Sequence, residues 1–120
     1  MPRPVLIMLL VFAGGAVGTL ARSIVIMACE SAGWSVWVAL LIVNSLGAAV
    51  LGWFTVTPRT VEVRSLVAVG ALASFTTFSG VAVAFVEGIR AGTGLAASML
   101  LVLSIIVGIS SAVLGRGLAS

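Results

Sequence analysis

Four long apolar runs alternate with three short polar breaks along this chain. The first run extends from Val5 to Ala21 and, past Arg22, from Ser23 to Ala28. The second opens at Trp34 and reaches about Val56. The third and fourth occupy the stretches from Val61 to Glu87 and from Leu95 onward. Each run is long enough for a spanning helix, which needs about 20 mainly apolar residues. The pattern therefore predicts helices at about 4–28, 34–56, 61–87 and 95–115, in one four-helix transmembrane domain with no separate soluble part. The breaks carry turn formers and charge: Cys29 to Gly33 with Glu30, Thr57-Pro58-Arg59-Thr60 followed by Glu62 and Arg64, and Gly88 to Gly94 with Arg90. Trp34, Trp37 and Trp53 fall at span ends, where indoles favour the membrane interface. An arginine does precede the first run, but the run is too long for a signal peptide and no small-residue cleavage pattern follows it.

Polar residues inside the runs mark the exceptions. Gly70 to Gly80 reads G-A-L-A-S-F-T-T-F-S-G, with Ser74, Thr76, Thr77 and Ser79 separated only by Phe75 and Phe78. One or two such hydroxyls would bond back to the preceding turn of an ordinary helix. Four in six positions, flanked by glycines, predict a broken third helix that faces a cavity or a partner rather than lipid. Asn44, near the middle of the second run, must find partners, either as glue to a neighbouring helix or as the lining of an ion path. Arg22 can snorkel to the headgroups or line a water-filled vestibule that attracts anions. Two small-residue pairs, Gly14 with Gly18 and Ala48 with Gly52, offer faces for close helix approach, and Ser104 and Gly108 lie four apart on the fourth run.

Composition narrows the chemistry. The chain is 62% hydrophobic and 8% charged, with a mean hydropathy of +1.37, which is a membrane composition. Its six basic residues, all arginine, outnumber three glutamates but form no basic face, so they argue for membrane orientation and against nucleic acid. With no histidine and one cysteine, Cys29, there is no triad, no internal disulfide and no thiolate metal site, and an enzyme is not expected.

Four stretches resemble the fluoride channel family known as Fluc or CrcB. They are G-G-A-V-G-T-L-A-R (Gly14 to Arg22), V-N-S-L-G-A-A-V-L-G (Val43 to Gly52), F-T-T-F-S (Phe75 to Ser79) and S-I-I-V-G (Ser104 to Gly108). The resemblance implies an all-α membrane protein assembled as an inverted, antiparallel dimer of four-helix subunits. In such a dimer the broken third helices hold a structural sodium ion through backbone carbonyls, here those of Ala73 and Thr76. It implies a fluoride route lined by Asn44, Thr77, Phe78, Ser79 and Ser104, with Arg22 in a vestibule. Neutral donors suit a small, strongly hydrated anion that must shed water without being trapped. A phenyl ring offers its positive edge, although Phe78 alone could equally be a packing residue.

The chain also departs from the family pattern. Gly80-Val81 stands where a threonine and a second phenylalanine follow T-T-F-S, Ala39-Leu40-Leu41 lacks a hydroxyl, Leu100 replaces a tyrosine, and Ala73 replaces the glycine at the break. Four spans put Arg3, Arg59, Arg64 and Arg116 on one side and Arg90 on the other, joined by Arg22 if it snorkels that way. By the positive-inside rule, the two termini then face the cytoplasm of the cell inner or plasma membrane. Such bias opposes the two-way insertion that an inverted homodimer needs. The expected partner is therefore a related four-span subunit of opposite orientation, and the expected activity is passive fluoride export. Two other readings remain open. A non-conducting structural subunit fits the lost pore groups, whereas a small multidrug-type transporter would need a carboxylate in mid-membrane and finds none.

Overall fold

Helix ends in this chain are set by the residues at its polar breaks. The computed structural model describes residues 1–120 and contains four helices long and apolar enough to cross a membrane: Arg3–Ser31, Val36–Thr55, Val61–Arg90 and Gly94–Leu118. Pro4 lies in the first turn of the first helix, where its missing N–H breaks no bond. Ser35 caps the second helix by accepting the Trp37 N–H, and Thr60 caps the third by accepting that of Val63. Gly33 and Gly92 adopt positive φ (76° and 79°) at the loops leaving the first and third helices, a conformation that favours glycine. The first helix runs to Ser31, so the expected turn at Cys29 is helical for three further residues and Cys29 is buried within it.

The third span is not uniform. After one α-helical turn at Val61–Arg64, residues Ser65–Leu72 wind more widely, and the Ala73 N–H bonds the Ala68 carbonyl five residues back. A short α-helical piece, Ala73–Phe75, follows. Thr76 (φ −81°, ψ 153°) and Thr77 (φ −146°, ψ 118°) are extended, and an α-helix resumes at Phe78–Arg90. Extended residues between two helical pieces change which neighbours the span can reach. Its early part packs on the first helix, whereas Phe78–Arg90 leaves that helix and lies against the fourth and second.

Glycines allow the close approaches. A methyl on Gly14 or Gly18 would collide with the backbone carbonyls of Leu66 or Ala71, and one on Gly70 would lie 2.9 Å from the Val11 carbonyl oxygen. The second and fourth helices lock in the same manner, Gly52 against Ala112 and Gly115 against Ala49. Gly108 makes no such contact. It meets open space, and both it and Ala48 turn toward a cavity described below. With backbones touching, dispersion between helices replaces the hydrophobic drive that lipid cannot supply. The outer faces are apolar, with Phe12, Leu20, Ile24, Met99 and Leu114 all exposed, as suits lipid or another membrane chain.

At the end of the bundle that carries the Pro58 loop, Arg3 Nε pairs with Glu62 Oε1 at 3.3 Å and joins the starts of the first and third spans. The Arg59 guanidinium lies 5.8 Å from the rings of both Trp53 and Phe54, a cation–π contact at an aromatic belt.

The glycine contacts yield a contrast that can be measured. Gly18→Val forces side-chain atoms into a backbone carbonyl and is expected to cost about 3 kcal/mol. It should lower the thermal midpoint in detergent, followed by size-exclusion of heated samples. Gly117→Ala, where an added methyl meets nothing, should leave the midpoint unchanged or raise it slightly.

Candidate functional site

Two consecutive extended residues in a membrane span strand backbone groups where no water can reach them. In a continuous helix the Thr77 N–H would bond the Ala73 carbonyl. Here it donates to Asn44 Oδ1 at 2.7 Å, while Asn44 Nδ2 donates back to the Thr77 carbonyl at 3.0 Å. One side-chain amide from the second helix thus replaces a peptide partner at both ends of Thr77. That pairing also orients the amide, because only its oxygen can accept and only its nitrogen can donate. Thr77 then caps the Phe78–Arg90 helix, its hydroxyl accepting the Gly80 N–H at 2.9 Å and sharing a bond with the Ser79 hydroxyl at 3.1 Å.

These bonds leave specific groups unused. Asn44 retains a second amide proton. The first N–H groups of the Phe78–Arg90 helix have no carbonyl of their own helix to bond, and they carry its positive dipole end. On the other side of the break, the Ala73 carbonyl receives only the Thr76 hydroxyl, at 3.5 Å. The Thr76 carbonyl receives no hydrogen bond at all, since the Gly80 N–H is taken by the Thr77 hydroxyl. Thus the break leaves donors unused on its Phe78 side along the chain and acceptor oxygens unused on its Ala73–Thr76 side.

A cavity of about 390 Å³ lies on the donor side. The second helix lines it with Asn44, Ala48 and Leu51, the third span with Thr76, Thr77, Phe78 and Val81, and the fourth helix with Leu101, Ser104, Gly108 and Ile109, among others. Four of the residues singled out in the sequence, Asn44, Thr77, Phe78 and Ser104, therefore share one space. Ser104 donates to the Leu100 carbonyl at 2.8 Å, so its hydroxyl must turn to serve a ligand. Phe78 is 77% exposed, its ring unpacked by its own chain.

The remaining sequence candidates lie elsewhere. Ser79 is exposed and touches the site only through the Thr77 hydroxyl. Ala73 is exposed on the acceptor side. Arg22 is half-buried on the first helix, which contributes nothing to the cavity wall. Sequence reasoning missed Ala48, Leu51, Leu101 and Gly108. Each stands one or two helical turns from Asn44 or Ser104 on the same face, a spacing that could have found them. A larger groove of about 770 Å³ along the fourth helix, near Met99 and Leu103, is almost wholly apolar, and its one hydroxyl, Ser98, bonds the Gly94 carbonyl.

A hard cation such as sodium, which the sequence resemblance implies, prefers oxygen ligands. The acceptor side fits that donor set, because the Ala73 and Thr76 carbonyls have lone pairs free and lie beside a hydroxyl. The chain has no grouping of three acidic, cysteine or histidine side chains that could hold a transition metal.

Comparison with known proteins was consistent along the chain. The family model described as CrcB-like protein, Camphor Resistance (CrcB), matches residues 9–116. A protein of Gluconobacter oxydans (strain 621H) named "Fluoride-specific ion channel FluC" is 34% identical over 116 residues, covering 90% of this chain and 81% of that protein. A protein of Leifsonia xyli subsp. xyli (strain CTCB07) named "Fluoride-specific ion channel FluC 2" is 38% identical over 84 residues, covering 63% of this chain and 57% of that protein. No solved structure matches the chain.

The Asn44 bridge can be tested without reference to transport. Asn44→Ala leaves the N–H and carbonyl of Thr77 unpaired, at a cost of about 1–3 kcal/mol for each group. Hydrogen–deuterium exchange should show the Thr77 amide protected in the native chain and fast-exchanging in the variant. Amides of the Arg3–Ser31 helix, remote from the bridge, should keep their protection.

Proposed function

The chain belongs to the CrcB family, and from that premise we propose that it is one subunit of a passive, fluoride-selective channel. Its four apolar helices make it a multi-pass membrane protein. The observation that carries the reading is the cavity in which Asn44, Thr77, Phe78 and Ser104 meet at the Thr76–Thr77 break. Every polar group there is neutral, and every free donor is an amide or a hydroxyl. A small anion entering from water exchanges its hydration shell for the spare Asn44 proton, the Thr77 and Ser104 hydroxyls and the first N–H groups of the Phe78–Arg90 helix. None of these holds it with full charge, so it can leave again. The Phe78 ring, open on the chain's surface, can turn its positive edge toward the ion. Chloride is larger and gains less from compact donors, so selectivity follows from size and hydration.

The acceptor side of the same break supports a structural role for sodium, with the Ala73 and Thr76 carbonyls as ligands. A bound cation there would neutralise the stranded carbonyls and hold the break open. The remaining ligands would come from the equivalent carbonyls of a second subunit.

Charge distribution supports a fixed orientation. The Arg3–Glu62 pair and Arg59 lie at the end of the bundle with the Pro58 loop, where Arg64 and Arg116 also belong by topology, while only Arg90 sits at the other loops. Four arginines against one, or two if Arg22 snorkels to that side, favour the two termini in the cytoplasm. A subunit so biased pairs most readily with a related chain inserted the opposite way. A non-conducting role within such a pair is the second reading, favoured by the apolar residues at Leu40 and Val81.

Reconstituted with its partner, the chain should release fluoride from liposomes down its gradient with no proton gradient, as read by a fluoride electrode. Asn44→Ala should cut that flux at least about tenfold, the loss of roughly 1.4 kcal/mol of stabilisation. Chloride flux equal to fluoride flux defeats the selectivity, and coupling to protons defeats the passive channel. The orientation has its own test: single cysteines introduced at either terminus should be labelled from the cytoplasmic side only. Equal labelling from the two sides, with flux from this chain alone, overturns the heteromeric arrangement.

A further inference from the structure

On each of the three helices that line the cavity, polar residues give way to apolar ones within a single turn, and at the same level. The second helix passes from Asn44 to Leu40 to Trp37, the third from Thr77 to Val81 to Ala84, and the fourth from Ser104 to Leu101 to Ala97. These residues stand three or four apart, so each set shares one face of its helix. Leu40, Val81 and Ala84 form one buried cluster, 2%, 4% and 4% exposed, with Trp37 and Leu101 packed against it. The Leu40 side chain closes on the helix start itself, since a methyl added to Gly80 would lie 3.0 Å from Leu40 Cδ2. Val81 and Leu101 belong both to the cavity wall and to this cluster, so the cavity floor is the cluster's upper surface. Below it Gly88 and Ala97 close the seam, a methyl on Gly88 lying 2.6 Å from Ala97 Cβ. The other end of the cavity, at Leu51, Gly108 and Ile109, points toward the Pro58 loop.

We propose that the buried cluster of Leu40, Val81 and Ala84 is a dewetted plug that closes the route within this chain toward the Gly33 and Gly92 loops and sets its rate of ion passage. The inference rests on reading the cavity as an ion path. From Asn44 to Trp37 is seven residues, or about 10 Å of helix rise, over which these faces offer no side-chain donor apart from the Trp37 indole at the far end. A strongly hydrated anion finds nothing there to replace its water, and hydrophobic constrictions of this kind block ions by excluding water. Leu40 governs the barrier because it is the apolar side chain of the second helix that reaches across to Gly80. An ion in this cavity therefore passes only when Leu40 moves aside, or leaves along the surface that Phe78 shares with a partner.

The test separates the barrier from the conduction reading. The chain with Cys29→Ala is reconstituted with its partner, and an anionic, membrane-impermeant methanethiosulfonate is supplied on the two sides of the membrane. Gly108→Cys should react quickly, and Ala84→Cys should remain protected until the protein is denatured. Adding Leu40→Ala should expose Ala84→Cys, whereas Phe54→Leu, which removes buried bulk elsewhere, should not. Leu40→Thr, which shortens and wets the plug, should raise fluoride efflux at least about threefold. Equal labelling of Ala84→Cys and Gly108→Cys with Leu40 intact overturns the plug, as does exposure by Phe54→Leu to the same extent. Unchanged efflux in Leu40→Thr overturns its control of the rate. Labelling as expected with no fluoride efflux from any variant upholds the barrier and defeats the conduction reading instead.

Discussion

The two hydrogen bonds between Asn44 and Thr77 are the interaction on which the site depends. A membrane span tolerates non-helical backbone only where protein or a lined cavity satisfies its polar groups. At 2.7 and 3.0 Å, the amide of Asn44 takes up the N–H and the carbonyl of the same residue, a pairing otherwise made by peptide to peptide across a sheet. Once Thr77 is held this way, its hydroxyl is free to start a new helix, and the Ala73 and Thr76 carbonyls are released from the old one. Donor side, acceptor side and helix restart all follow from one side chain. The bridge still leaves one of the two Asn44 amide protons unused.

The backbone contacts elsewhere make that bridge possible. Gly14, Gly18 and Gly70 bring the first helix against the early part of the third span, and Gly52 with Gly115 joins the second helix to the fourth. Between these two tight pairs the later part of the third span changes sides. Cavity and plug both lie where it meets the second and fourth helices. In the cavity Asn44, Thr77 and Ser104 stand among apolar side chains, and Gly108 leaves open space. In the plug the facing side chains are Leu40, Val81 and Leu101, and they fill the space.

Much of this was legible in the sequence, and the omissions have physical causes. Apolar runs of about 20 residues bounded by Pro58, Gly33 and Gly92 can hardly be anything but spans, and their observed ends differ from expectation by a few residues because capping extends or frays a turn. The cluster from Ser74 to Ser79 marks the extended residues because hydroxyls are uncommon in lipid and four together need a reason. Ala48, Leu51 and Leu101 line the cavity unannounced, since an apolar residue looks the same whether it faces a cavity, a core or lipid. Leu40 and Val81 stand out singly as departures from a family pattern, but that they join one buried cluster is a tertiary fact. The wide winding of Ser65–Leu72 has no marker in S-L-V-A-V-G-A-L at all. Within it Leu66, Gly70 and Ala71 seat on the first helix.

That wide segment also fixes the angular phase of everything after it. An ordinary helix turns about 100° per residue, so the direction in which Thr77 leaves the third span depends on how many residues lie between it and the Thr60 cap. Winding more widely over Ser65–Leu72 absorbs residues that a regular helix would convert into rotation. A family member that lost one residue here could keep every side chain of its site and still aim Thr77 away from Asn44. Length between Thr60 and Thr77 is thus as much a part of the site's specification as its chemistry, and insertions that surface loops would absorb have no place in it.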